Sequence, residues 1–172
     1  MADYFSPTVI QQTIPNADMT PLERLLLTRI FSAEPDGDGL YFYAEEGPAD
    51  MIALNRAELD AALAASQAVP STANAHVVEH LARTPVGEAD IDLDLSGTSW
   101  EFIVQDIVRR SSRLRYVTAV ASFTCSKMRP DGFGGMAVLI TAEAIIGKST
   151  NDILEDFLAE AGLDGNDAPT AA

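Results

Sequence analysis

The chain has 172 residues, and 26 aspartates and glutamates stand against 11 lysines and arginines, which gives a formal net charge of −15. This excess of acid argues against a conventional nucleic-acid-binding protein, because phosphates attract clustered Lys and Arg and repel carboxylates. The hydrophobic fraction of 47% argues against a disordered chain, and the length suits one domain with its own core. We therefore expect a folded acidic protein that does not bind nucleic acid directly.

Helical periodicity and capping residues predict the helices. The expected helices cover about 21–32, 55–68, 74–83, 98–110 and 152–161. Three of them begin with a capping residue followed three residues later by glutamate, as in Thr20 with Glu23, Asn55 with Glu58, and Thr98 with Glu101. In the last helix an apolar stripe is expected to face inward, and its members are Ile153, Leu154, Phe157 and Leu158. The segment 164–172 is expected to be a disordered tail.

Alternating and β-branched runs predict strands between these helices. They cover about 8–14, 40–44, 51–54, 90–95, 116–125 and 136–141. Turn residues at 46–50 and 129–135 predict that the flanking strands form two hairpins. Because hairpins and helices follow one another without regular alternation, we expect an α+β fold. The prediction is a single compact domain over 1–163, with a mixed or antiparallel sheet, two hairpins and about four to five packed helices.

Cysteine usage and hydropathy bear on the compartment. Cys125 is the only cysteine, which excludes an internal disulfide and favours a reducing compartment. The first seven residues have neither a basic region nor a long apolar run, and no stretch approaches the roughly 18 apolar residues that span a bilayer. We therefore expect a cytoplasmic protein with no membrane association.

One motif suggests metal chemistry. The sequence His76-Val77-Val78-Glu79-His80 is similar to the H-x-x-E-H arrangement of inverzincin metallopeptidases, in which two histidines bind zinc and the glutamate acts as general base. Such a site needs a third protein ligand, and no spacing selects one from candidates such as Glu143 or Glu155. Exposed histidines beside the apolar stripe of a structural helix explain the same residues. Both interpretations stay open, although we predict no metal ligand and no catalytic residue.

Two further motif matches fail on local physics. The segment Ala142–Ser149 fits a permissive Walker A pattern, but it lacks glycines before Gly147 and places Glu143 where phosphate would bind. We interpret Gly147 as part of the turn before the last helix. The spacing of acids over Asp90–Glu101 resembles a calcium loop, yet Leu95 stands where the loop needs glycine. We therefore predict no cofactor.

The distribution of charge points to a binding surface. Six cations and one acid lie between residues 107 and 142, so this segment carries +5 and the rest of the chain carries −20. If the helix end and the hairpin tip lie together, they form a basic pole on an acidic body. The predicted partner-binding residues are Arg113, Arg115, Lys127, Arg129 and Phe133, the last an aromatic between turn glycines. The alternative is that the cations pair with the protein's own carboxylates and Phe133 folds onto the core.

These observations favour a non-enzymatic, cytoplasmic module that binds a macromolecule, with a protein as the expected partner. One specific version is a DNA mimic, whose carboxylates would occupy the basic groove of another protein. Self-association through a hairpin strand, which would give a homo-oligomer, is a further hypothesis. The alternative function is a small zinc-dependent hydrolase with His76 and His80 as ligands and Glu79 as base.

Overall fold

The structure is a computed structural model, and it describes residues 3–85, 87–129 and 131–163. The predicted tail at 164–172 lies outside the described residues. The strands are β1 Tyr4–Phe5, β2 Thr8–Ile10, β3 Ile14–Pro15, β4 Ser32–Asp36, β5 Gly39–Ala44, β6 Met51–Asn55, β7 Asp90–Asp94, β8 Tyr116–Cys125, β9 Gly134–Thr141 and β10 Ile145–Ser149. The helices are α1 Pro21–Ile30, α2 Arg56–Ser66, α3 Thr72–Arg83, α4 Trp100–Arg110 and α5 Thr150–Glu160, with a 3-10 turn at Asn16–Asp18.

The main sheet is antiparallel, and its strand order is β10, β9, β8, β2, β5, β3, with β1 added to β8 and β4 added to β5. The long β8–β9 hairpin pairs from Tyr116 opposite Thr141 to Phe123 opposite Gly134. A separate two-stranded sheet joins β6 to β7. Within the described residues, helices α1 to α4 and these two sheets form one unit around a shared core, and the fifth helix adjoins the main sheet, which confirms the predicted α+β class.

The core lies between the inner face of the main sheet and helices α1 and α4. The apolar stripe of α4 is at most 3% exposed, and its members are Ile103, Val104, Ile107 and Val108. These side chains pack toward β8 and β9, whose inward residues alternate with exposed ones as a half-buried strand requires. None of the helices in the described ranges has the length and hydropathy to cross a membrane.

The capping signals mark most helix starts correctly. The reciprocal capping box of Thr20 and Glu23 is present, and Asn55 accepts hydrogen bonds from the first turn of α2. The start predicted for α4 is wrong by one position, because Thr98 is buried and its amide donates to the Leu95 carbonyl. The N-cap is Ser99, whose side chain makes no capping bond within the described part of the chain.

The predicted hairpin between 40–44 and 51–54 is wrong, although both strands exist. β5 pairs with β4 through a tight turn in which Gly37 has a φ of 58°, a conformation that favours glycine. The segment 45–50 instead carries the chain to the second sheet, where β6 pairs with β7. The physical reason is burial, since Ile52 and Leu54 of β6 are buried in register with the apolar residues of β7.

Two predictions about the carboxyl-terminal third are also wrong. Gly147 is not in a turn, because it lies in edge strand β10 opposite Val138. The apolar stripe of α5 does not face inward: its four side chains are between 39% and 57% exposed. The helix contacts β9 and β10, and none of its side chains belongs to the buried core.

Candidate functional site

The five predicted partner-binding residues do not form one surface. Arg113 and Arg115 precede the first residue of β8, whereas Lys127, Arg129 and Phe133 follow its last residue. A ten-residue strand rises by about 3.3 Å per residue, so its ends are roughly 30 Å apart. The structure therefore divides the basic segment into a helix end and a hairpin tip.

The helix end is held by the protein's own carboxylates. The Arg110 guanidinium lies 2.6 and 2.8 Å from the two carboxylate oxygens of Glu23, which is fully buried and also accepts the Thr20 amide hydrogen bond. Arg113 makes a bidentate pair with Asp38 at 2.6 and 3.0 Å, and this pair holds the pKa of Asp38 below its usual value. These contacts pair Arg110 and Arg113 with the protein's own carboxylates.

The hairpin tip, residues 127–129 and 131–133, is exposed by contrast. Lys127 and Arg129 face solvent, and one Arg129 nitrogen lies 3.4 Å from the Tyr4 hydroxyl. Met128 is 90% exposed and Phe133 is 46% exposed, so neither side chain folds onto the core. The tip exposes Met128, Arg129 and Phe133, and these residue types are enriched at protein interfaces.

Helix α5 presents an apolar stripe that the described residues leave uncovered. The stripe is Ile153, Leu154, Phe157 and Leu158, and within the described segment 150–160 no residue is buried. The remaining circumference is acidic, with Asp152, Glu155, Asp156 and Glu160. Exposed apolar side chains that lie together on one surface are typical of an interaction site.

The first turns of α5 are nevertheless fixed to the sheet. Ser149 and Asp152 form a reciprocal capping box, and Lys148 of β10 pairs with Asp156. The Gly135 amide donates to the Thr150 hydroxyl at 3.2 Å. A side chain at Gly134 would lie 2.8 Å from that hydroxyl and 3.5 Å from the Phe123 ring, so the helix starts in close contact with the β8–β9 hairpin. The start of α5 therefore lies beside Gly134, which directly follows the hairpin tip in the chain.

Two residues of the motif that contains His76 and His80 make contacts within the protein itself. His76 Nε2 lies 2.7 Å from the Asp94 carbonyl oxygen, and Glu79 pairs with Arg83 one helical turn away. Within the described residues, no group of three His, Cys, Asp or Glu side chains is placed to hold a metal ion. The third zinc ligand that the motif needs is thus missing from the described part of the chain.

A half-enclosed cavity of about 320 Å³ opens between the inner face of the sheet and the start of α4. Its floor is formed by side chains of β8 and β9 that point toward the core. Among them, Ala119 and Ala121 of β8 are small and leave the volume unfilled. Trp100 and Glu101 form the helical wall, and the loop before β6 closes another side. Phe123 lines this cavity, and its ring also lies close to Gly134, where the start of α5 contacts the β8–β9 hairpin.

Comparison with known proteins gives no relative: no family model, curated protein or solved structure matches this chain. Function must therefore be argued from the surfaces themselves. The sequence predicts the apolar stripe of α5 correctly, but the prediction that the stripe faces the core is wrong. It missed the cavity, for which the only signal is the pair of alanines at alternating positions of β8.

Proposed function

We propose that the protein is a non-enzymatic binding module that inserts the apolar stripe of α5 into an apolar groove of a protein partner. The observation that carries this proposal is the exposure of all four stripe residues on a helix whose start is fixed to the sheet. Amphipathic helices commonly bind by placing their apolar face in a groove, and in α5 the four apolar side chains, spaced i, i+1, i+4 and i+5, form such a face. Fully burying such a side chain contributes roughly 1.5–3 kcal/mol, and each of these four, at 39–57% exposed, would contribute a part of that on binding.

Charge defines the chemistry of the partner further. The acids Glu155 and Glu160 flank the stripe on its two sides, so a groove with a basic rim is favoured over an acidic one. At the other end of the surface, Lys127 and Arg129 of the hairpin tip favour an acidic patch on the same partner. The expected complement is an apolar groove with a basic rim along most of its length and carboxylates near the start of α5.

The fixed first turns of α5 lower the entropic cost of binding a partner. A helix that is already formed and oriented loses less conformational freedom when it binds than a disordered segment does. The capping box of Ser149 and Asp152 supplies this order without covering the stripe. The helix is therefore available to a partner and partly preorganised for it.

The proposal is tested by placing a photo-crosslinking amino acid at Phe157 in the full chain, expressed in its native host. A matched control carries the same probe at Ala159, on the opposite face of α5. We expect one discrete adduct from position 157 and none from 159. An adduct of two copies of this chain, or equal adducts from both positions, would contradict binding of a separate protein through the stripe.

Affinity measurements with the purified crosslinked partner complete the test. Phe157→Ala should weaken binding by about 30-fold, equivalent to about 2 kcal/mol for a central anchor. Val120→Ala, on the open face of the main sheet, serves as the control and should leave affinity unchanged. Glu155→Lys should weaken binding most at low salt if the rim of the groove is basic. Equal affinity of Phe157→Ala and the unmodified chain would refute the proposal.

DNA mimicry and zinc hydrolysis stay predictions that no contact described above favours. The partner proposed here is a protein, and the zinc hypothesis lacks a third ligand among the described residues. Self-association enters as an outcome of the crosslinking test.

A further inference from the structure

The open face of the main sheet is the side that points away from α1, α4 and the core. On β8 and β9 its side chains alternate with buried residues. Val9, Val120 and Ile146 lie on this face and are 37%, 45% and 58% exposed, so the described residues leave it uncovered. One row of paired positions crosses the whole sheet, and its members are Lys148, Ala137, Val120, Val9, Tyr43 and Ser32.

This face differs in composition from the rest of the chain. Charged residues make up 22% of the sequence. On the four central strands β9, β8, β2 and β5, however, the described positions that face outward hold only Gly, Ala, Val, Leu, Tyr, Ser and Thr. An antiparallel sheet with one face in water normally presents polar residues there, so a face without charge favours a covered surface over a solvated one.

The strand order makes the open face complementary to itself. The order runs β10, β9, β8, β2, β5, with β4 on the far side of β5, so the centre of these six strands lies between β8 and β2. A two-fold axis parallel to the strands at this centre places β8 over β2 of a second copy, β9 over β5 and β10 over β4. Val120 then faces Val9, and the small Ala137 faces the ring of Tyr43. Small side chains opposite large ones allow two sheets about 10 Å apart to fill the space between them.

Charge favours a second copy of this chain as the occupant. The two edges of the face carry opposite charges, with Lys148 on β10 and Glu34 on β4. Lys148 is 54% exposed even in its pair with Asp156, and Glu34 is exposed as well. The same axis brings Lys148 of each copy toward Glu34 of the other. Two chains of charge −15 repel each other elsewhere, so the uncharged face is where they can approach.

The size of the face suits a reversible dimer. Six strands spaced about 4.8 Å apart make it roughly 25 Å wide, and the long β8–β9 hairpin gives it a similar length. Two such faces in contact would bury roughly 1,200 Å² in total, which is at the lower end for specific protein interfaces. We therefore expect an equilibrium between one and two copies rather than a permanent dimer.

We propose that two copies of this chain form a closed dimer through the open face, with a two-fold axis between β8 and β2 that pairs Lys148 of each copy with Glu34 of the other. The stripe of α5 is a different surface, and the dimer does not depend on it. The dimer would carry two copies of α5.

Sedimentation equilibrium of the full chain over a range of concentrations tests the dimer. Val120→Lys places a charge at the centre of the interface and should weaken dimerisation at least about tenfold, because that charge loses water without gaining a partner. Val78→Lys is the matched control, since this valine of α3 is 54% exposed and lies outside the sheet, and it should leave the dimer unchanged. Thermal unfolding verifies that both variants are folded, and Val9→Lys repeats the test if Val120→Lys is unfolded.

An exchange of charges tests the two-fold arrangement. Lys148→Glu and Glu34→Lys should each weaken the dimer by roughly threefold, as the loss of an exposed ion pair does. The double variant should recover most of that loss, because the pair forms again with its signs reversed. Phe157→Ala, in the stripe of α5, should leave the dimer unchanged.

Three results would overturn the proposal: a monomer at every concentration, equal dimerisation of Val120→Lys and the unmodified chain, or a double variant that binds no better than the single ones. A photo-crosslinking amino acid at Val9, used in the native host, tests the identity of the occupant. It should give an adduct of two copies, and an adduct with a different protein would overturn the second copy as the occupant.

Discussion

Helices α4 and α5 have the same length and the same amphipathic pattern, yet they use their apolar stripes in opposite ways. The stripe of α4 is at most 3% exposed against β8 and β9, whereas that of α5 is 39–57% exposed. The difference arises from position, since α4 crosses the inner face of the sheet and α5 leaves the sheet at its edge strand. Amphipathicity therefore predicts that a stripe will be covered, without identifying what covers it.

The largest expected difference concerns the ion pairs of the two helices. Arg110→Met removes the partner of the fully buried Glu23 and should lower the free energy of unfolding by about 3–5 kcal/mol. Lys148→Met breaks the exposed pair of Lys148 with Asp156 beside α5 and should leave the urea midpoint unchanged. Urea unfolding of both variants makes the comparison. Equal losses would show that α5 is part of the core.

The stripes themselves provide the next comparison. Ile107→Ala in α4 should cost about 2–5 kcal/mol, because it leaves a cavity in a packed core. Phe157→Ala in α5 should change the stability by less than about 0.5 kcal/mol, as an exposed substitution does. Both values come from urea unfolding of the free chain at low concentration. A loss above about 2 kcal/mol for Phe157→Ala would mean that the stripe is covered.

Removing the N-cap side chains should show whether α5 unfolds separately from the core. Ser149→Ala removes a capping hydrogen bond and should weaken the helix by about 1 kcal/mol. Since α5 is outside the core, the loss should appear as faster hydrogen exchange of α5 amides with an unchanged global midpoint. Ser99→Ala at α4 is the matched control, because this side chain makes no capping bond within the described residues. A lowered global midpoint for Ser149→Ala would contradict the independence of α5.

The smallest expected effects concern the acids in the first turn of each helix. Burial raises the pKa of Glu101 in α4, and hydrogen bonds from Ser149 lower the pKa of Asp152 in α5. An acid with a raised pKa destabilises the fold as pH rises through that pKa, so Glu101→Gln should raise the Tm at neutral pH. This gain should vanish when the pH falls below the ordinary range for glutamate. A pH-independent gain would exclude the charge of Glu101 as its cause.

Asp152 should show the opposite dependence. Its lowered pKa stabilises α5 above the ordinary aspartate range, and that contribution is lost as pH falls through the lowered value. A carboxyl titration followed by NMR should place Asp152 below Glu101 in midpoint. The reverse order would contradict the hydrogen-bonding described for the two helix starts.

Local signals in the sequence predict the elements of the fold well. The capping box of Thr20 and Glu23, the alternation over Asp90–Asp94 and the long β8–β9 hairpin are all present. Pairing between distant strands is predicted less well, because β6 and β5 have equally apolar faces and only burial against β7 decides between partners. The wrong hairpin follows from that ambiguity.

The candidate sites were only partly predictable for a related reason. The cations of the basic segment are adjacent in sequence, yet the length of β8 separates Arg113 from Arg129 and Asp38 pairs with the former. The distance between the two arginines and the ion pair with Asp38 both depend on the tertiary fold, so no local sequence pattern indicates them. The cavity likewise exists because the alanines of β8 face the core. The alternation of the strand shows that they share one face, but it does not show which face is buried.

The most direct test of the account is the solvent exposure of Phe157 in the free protein. A fluorinated phenylalanine placed at 157 should show a solvent isotope shift close to that of the free amino acid, and the value should not change on dilution. The same label at Phe42, which is fully buried, should show almost no shift. If position 157 behaves like position 42 in the free chain, the stripe of α5 is already covered and is not available as a binding surface.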